Sequence, residues 1–99
     1  MFLNKYVNDE YYEFILDEYD EGYLSTLDEE QFKIIYDLFK QYGFTYIEDI
    51  ILKYLEIFEM EYGEVREKLE DLKTELGDNF IYIISNQLSL LDRIFEWCS

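Results

Sequence analysis

Apolar residues recur along this chain at every third or fourth position, and the pattern resolves into a series of amphipathic helices. Leu3, Val7, Tyr11 and Phe14 line one face at the front, predicting a first helix that starts near Phe2 or after a cap at Asn8. Farther on, Leu27, Ile34, Ile35, Leu38, Phe39 and Tyr42 fall on one arc, with Glu29, Glu30, Lys33, Asp37 and Lys40 opposite. Thr26 and Glu29 have capping-box spacing at the start of that helix, and Gly43 is placed to close it. Thr45 and Glu48 repeat the box ahead of a wider apolar arc, Ile47, Ile50, Ile51, Tyr54, Leu55, Ile57 and Phe58, as expected near the centre of a bundle.

The series 47, 51, 54, 58, 62, 65, 69, 72, 76 keeps its three-four spacing past Gly63. Either one long helix continues through that glycine or the helix kinks there. The run FIYII at 80–84 is locally strand-like, because β-branched and aromatic residues dominate it. The longer window predicts a helix instead: Phe80, Ile84, Leu88, Leu91 and Phe95 share one side, and Tyr82, Ser85, Asn86, Ser89, Asp92, Arg93 and Glu96 the other. There is no proline, so Gly22, Gly43, Gly63 and Gly77 are the main punctuation. The expected fold class is all-α, a small bundle of four to five helices forming a single acidic helical domain over 1–99.

Composition adds a core and a field. The hydrophobic fraction of 49% and aromatic fraction of 20% supply enough burial to offset the entropy of ordering. The net charge is −16, from 24 acidic against 8 basic residues with no histidine. Such a field repels nucleic acid and anionic membranes, and it draws in cations or basic protein surfaces. The lone cysteine, Cys98, has no internal disulfide partner and no histidine to activate it; a free thiol in a reducing, cytoplasmic setting is expected. No basic region followed by a long apolar run opens the chain, so an unexported protein is expected.

The segment DEYDEGY at 17–23 raises the question of a metal. Counted from Asp17, an EF-hand loop would have Asp17 at position 1, Glu21 at 5, Gly22 at 6, Leu24 at 8, Ser25 at 9 and Asp28 at 12. This is a partial resemblance to the EF-hand family. Tyr19 at position 3 is a poor ligand, and Asp28 is shorter than the bidentate Glu usual at position 12. Gly22 is better explained as the end of a helix, with Thr26 beginning the next. No metal site or cofactor is therefore expected, with a degenerate EF-hand calcium module over 17–28 as the lesser alternative. Without histidine there is no Ser–His or Cys–His pair, and no glycine-rich phosphate loop is present, so an enzyme is not expected.

The charge layout carries more information. Between Lys5 and Lys33 there is no basic residue, while Asp9, Glu10, Glu13, Asp17, Glu18, Asp20, Glu21, Asp28, Glu29 and Glu30 are all acidic. Asp9, Glu13, Asp17 and Asp20 follow helical spacing as one stripe. At a rise of ~1.5 Å per residue, carboxylates three or four apart stand ~4.5–6 Å apart along the axis. That is comparable with phosphates on a nucleic-acid strand, given an axial rise of about 3.4 Å plus the winding of the backbone. A merely solvated helix gains from i,i+4 ion pairs, as Glu64 and Lys68 could provide, but residues 9–30 contain none. Tyr12, Tyr19 and Tyr23 are interleaved with these acids, where they could either stack on arginine guanidinium groups or pack in the core.

In size, aromatic content, acidity and charge layout, the chain resembles the nucleic-acid-mimicking inhibitors of phages and other mobile elements, including many anti-CRISPR proteins. The resemblance covers the whole chain and involves no shared motif. It implies occupation of a basic groove on a nuclease or nucleoprotein complex, in the host cytoplasm if the protein is phage-encoded. The partner-binding residues would be Asp9, Glu10, Glu13, Asp17, Asp20, Glu21, Asp28, Glu29 and Glu30, with Tyr12, Tyr19 and Tyr23. By class, the chain is also similar to small acidic helical immunity proteins that neutralise basic nuclease toxins. Self-pairing through apolar residues into a homodimer is a further alternative.

Overall fold

A computed structural model describes residues 2–95; the side chain of Phe95 and the expectations for Glu96 and Cys98 lie outside what it describes. The all-α class holds, and no strand occurs among the described residues. The count of four to five helices is too low. Among the described residues there are six α-helices: α1 (Asp9–Glu18), α2 (Glu21–Leu24), α3 (Glu29–Tyr42), α4 (Ile47–Lys53), α5 (Tyr62–Leu76) and α6 (Phe80–Asn86). The described residues also form three 3-10 segments, Phe2–Lys5, Leu55–Glu59 and Leu88–Phe95.

Both expected starts of the first helix are used. A 3-10 turn covers Phe2–Lys5, and α1 begins anew at Asp9, where Asn8 Oδ1 accepts the Tyr11 N–H at 2.9 Å. The restart resets the helical phase, so Leu3 and Val7 do not predict the inward face of α1. Ile15 is the fully buried residue of α1, with Tyr11 and Tyr12 half-buried beside it, and Phe14 is 51% exposed.

Neither capping box forms. Thr26 donates its hydroxyl to the Tyr23 carbonyl, 2.6 Å, satisfying the end of α2, and Asp28 instead caps α3 by accepting the Glu30 N–H at 3.0 Å. Glu48 accepts the Asn8 N–H at 2.8 Å, and α4 starts after Tyr46 with no side-chain cap. Gly22 lies within α2 and has no left-handed backbone; it does not end a helix. Gly43 closes α3 as expected: φ is 96°, and the Phe44 N–H reaches back to the Phe39 carbonyl at 3.2 Å.

The long helix is neither continuous nor kinked at Gly63. It breaks at Tyr54 (φ −135°, ψ 46°) and again at Met60 (φ −78°, ψ 161°), and Gly63 sits in the first turn of α5. Each break is met by a distant side chain. Tyr19 Oη accepts the Leu55 N–H at 3.3 Å, and Gln31 Nε2 donates to the Met60 carbonyl at 2.5 Å. The final helix is likewise interrupted, α6 stopping at Asn86 before the 3-10 turn. Phe80, Ile84 and Leu91 are buried as expected.

Aromatic rings build the centre of the core. Phe32, which the arc of α3 omitted, is fully buried, with the Phe58 ring stacked at 4.8 Å and Phe2 and Tyr6 at 5.4 and 4.9 Å. Ile34, counted in that arc, is 48% exposed. Phe39 packs on Phe58 and on Phe44. This layer seats α3 on the 55–59 segment and on α5, while α1 lies against α4. No polar or charged residue is buried among the described residues.

Candidate functional site

At ~100° per residue, Asp9, Glu13, Asp17 and Glu10 occupy an arc of about 100° on α1. All four are exposed and point away from Ile15. Asp20 is no longer on the same helix; it precedes α2 in extended conformation (ψ 137°), and exposed Glu21 opens that turn. The face is therefore four carboxylates of one helix, the stripe Asp9, Glu13 and Asp17 with Glu10 beside it, continued by Asp20 and Glu21 around a corner.

The structure separates the remaining acidic candidates. Asp28 caps α3, and Glu29 is paired with Lys5 at 3.1 Å, so one of the acids between Lys5 and Lys33 does have a contacting cation. Glu30 is exposed. Among the described residues, the ion pairs are Lys5–Glu29 and Glu75–Arg93; Glu64 and Lys68 do not form one. Asp9, Glu10, Glu13, Asp17, Asp20, Glu21 and Glu30 thus keep their charge unmatched by a contacting cation.

The tyrosines have structural contacts. Tyr19 and Tyr23 stack on each other with centroids 5.8 Å apart, and the Tyr23 hydroxyl donates to Glu59. Burial raises the hydroxyl pKa of both above the ordinary tyrosine value, and for Tyr23 the Glu59 carboxylate adds to the rise. Tyr12 is half-buried at the side of α1. Other hydroxyls tie the elements together: Tyr11 donates to Asp49 Oδ1 (2.7 Å), Tyr42 to Glu70 Oε2 (2.6 Å) and Tyr46 to the Ile81 carbonyl (2.6 Å). Asp92 is the carboxylate that acts on the Tyr54 hydroxyl. Burial and these carboxylates push Tyr42 and Tyr54 up to about 12; for Tyr11, also about 12, the bond to Asp49 is the larger cause.

Two grooves flank the acidic stripe. One, of about 380 Å³, is lined by Phe14, Glu18, Tyr19, Leu52, Lys53 and Tyr54. The other, of about 270 Å³, is lined by Tyr12, Leu16, Glu21, Leu24 and Ser25. Phe14 and Leu16, at 51% and 43% exposure, stand on opposite shoulders of the helix. Their exposure was missed in the sequence because the apolar pattern placed Phe14 inward; the available signal was the run FIL, too wide for one inner face.

The EF-hand alternative finds no support in this geometry. Its central positions Glu21, Gly22 and Leu24 are wound into α2, whereas a calcium loop must curl its oxygens around one point. Among the described residues, no three His, Cys, Asp or Glu side chains are grouped to hold a metal ion. No helix among them is long and apolar enough to cross a membrane. Compared with protein-family models, curated proteins and solved structures, the chain has no match.

Proposed function

We propose that this protein is an acidic inhibitor that occupies the basic nucleic-acid-binding surface of a nuclease or nucleoprotein complex. The observation carrying this reading is the outer face of α1, where Asp9, Glu10, Glu13 and Asp17 are exposed together and none is matched by a contacting cation. Asp20 and Glu21 extend the negative surface around the corner into α2. Lysines and arginines that hold phosphates meet a comparable row of oxygens here, and the long-range field of a −16 protein speeds the encounter. Binding then excludes nucleic acid by competition.

The test takes a partner recovered by affinity capture at low salt and measures its nucleic-acid binding as the protein is added. Displacement of the nucleic acid, weakening as salt rises, is expected, with loss of displacement in the triple variant E13K/D17K/D20K. Salt-insensitive binding together with undiminished inhibition by the triple variant would overturn the proposal.

A further inference from the structure

A purely electrostatic copy of duplex DNA has no use for apolar side chains on its contact face, because a duplex keeps the faces of its bases stacked inside. The face described above does carry them. Phe14 and Leu16 project from α1 roughly 70–90° to either side of the carboxylate row, each at the edge of a groove. On the Phe14 side, Tyr19, Leu52 and Tyr54 supply further apolar walls, and Glu18 and Lys53 form the polar rim. On the Leu16 side, Tyr12 and Leu24 form the walls and Glu21 the rim.

From this arrangement we infer that the face is built to seat on a groove for single-stranded nucleic acid, in which lysines and arginines alternate with aromatic platforms. In such grooves the cations track the phosphates and the aromatic side chains stack on exposed bases. Here the carboxylates of Asp9, Glu13 and Asp17 stand where phosphates would lie, and the Phe14 ring and Leu16 stand where bases would. The inference rests on the reading of the acidic face and specifies the class of surface that it meets.

Charge complementarity selects this occupant over a second copy of the chain. Two copies meeting through α1 would oppose the Asp9, Glu10, Glu13 and Asp17 rows, like charges brought together as water is excluded. A basic surface carrying aromatic residues satisfies both halves of the face at once: its cations pair with the carboxylates, and a ring stacks on Phe14.

The experiment uses the full chain and two synthetic lysine-rich peptides of equal length and charge, one with tryptophan and the other with serine at the centre. Affinity is measured over a salt series. The tryptophan peptide should bind roughly three- to tenfold more tightly. The salt slopes of the two peptides should be equal, because the number of ion contacts is the same. Phe14→Ser should abolish the preference while leaving the slope unchanged, and E13K/D17K should flatten the slope for both peptides. Equal affinity of the two peptides for the unmodified protein overturns the inference without any variant and leaves the acidic-face reading standing. Failure of both peptides to bind at low salt overturns the two together.

Discussion

Asp17→Lys should make the protein more stable while weakening its proposed contact. Asp17 lies in the last turn of α1, where carbonyl groups present the negative end of the helix dipole, and Glu18 adds a second acid there with no basic residue in that turn. A lysine at 17 reverses an unfavourable charge–dipole interaction worth ~0.3–1 kcal/mol at an exposed site. It also stands four residues after Glu13 in the favourable order, adding ~0.2–0.5 kcal/mol, and lysine has the better helix propensity. Asp17 makes no hydrogen bond in the structure that the substitution would cost. The expected gain is about 0.5–1.5 kcal/mol. With a urea m-value of about 1.5 kcal/mol/M, the midpoint should rise by roughly 0.3–1 M. Circular dichroism in a urea series at low ionic strength measures it, and at ~1 M salt, where the Debye length falls to about 3 Å, most of the gain should vanish. A midpoint that is unchanged or lower at low salt would refute the placement of Asp17 as an exposed, uncompensated acid at a helix end.

Three further outcomes test the fold. Phe58→Ala removes a fully buried ring that contacts Phe32 and Phe39 and should cost about 3–5 kcal/mol in urea denaturation, enough to unfold much of a marginally stable domain. Gly63→Ala and Gly43→Ala should have opposite signs although a new Cβ meets open space at both positions. The first adds a better helix former in α5 and gains ~0.4–1 kcal/mol, whereas the second forces alanine to φ 96° and costs about 1–2 kcal/mol, both read from the denaturation midpoint. Raising the pH should destabilise the protein in the window from about 10 to 12. Tyr11, Tyr42 and Tyr54 are pushed up to about 12 in the folded chain, so above pH 10 the unfolded chain releases protons that the folded one retains. Their contribution is complete below pH 10 and lost as pH passes their folded values; a denaturation midpoint that is flat from pH 9 to about 11.5 would contradict it.

The helical class and most of the core were legible in the sequence because burial of Ile35, Leu38, Phe39, Ile47, Ile50, Ile51, Val65, Leu69 and Leu72 follows from periodicity alone. The breaks were not. The chain leaves the helix at Tyr54 and Met60 while the apolar spacing continues, and the groups that receive the freed backbone come from Tyr19 and Gln31, far away in sequence. A capping motif read locally has the same weakness: Thr26 and Glu29 fit the box, yet Asp28 sits nearer the first turn and takes the role. In the candidate site, the run of acids was visible and their exposure on α1 followed from helical geometry. The separation of Asp20 from the stripe and the Lys5–Glu29 pair depended on how the segments meet in space, which local pattern does not encode, whereas the Asn8 cap and the run FIL did carry a signal for the restart of α1 and the exposure of Phe14.

The tyrosine bonds between elements have an implication for how the protein keeps its field. A lysine strut linking two elements would cancel one carboxylate each time it was used. A phenol donor ties the elements equally and brings no positive charge with it: Asp49, Glu59 and Glu70 each accept a tyrosine hydroxyl, and none of the three has a contacting cation among the described residues. At these three ties architecture and charge are assigned to separate chemistries, unlike the Lys5–Glu29 and Glu75–Arg93 pairs. The chain can accumulate acids without dismantling its own cross-links, and salt that screens its attraction for a partner leaves those neutral donors in place.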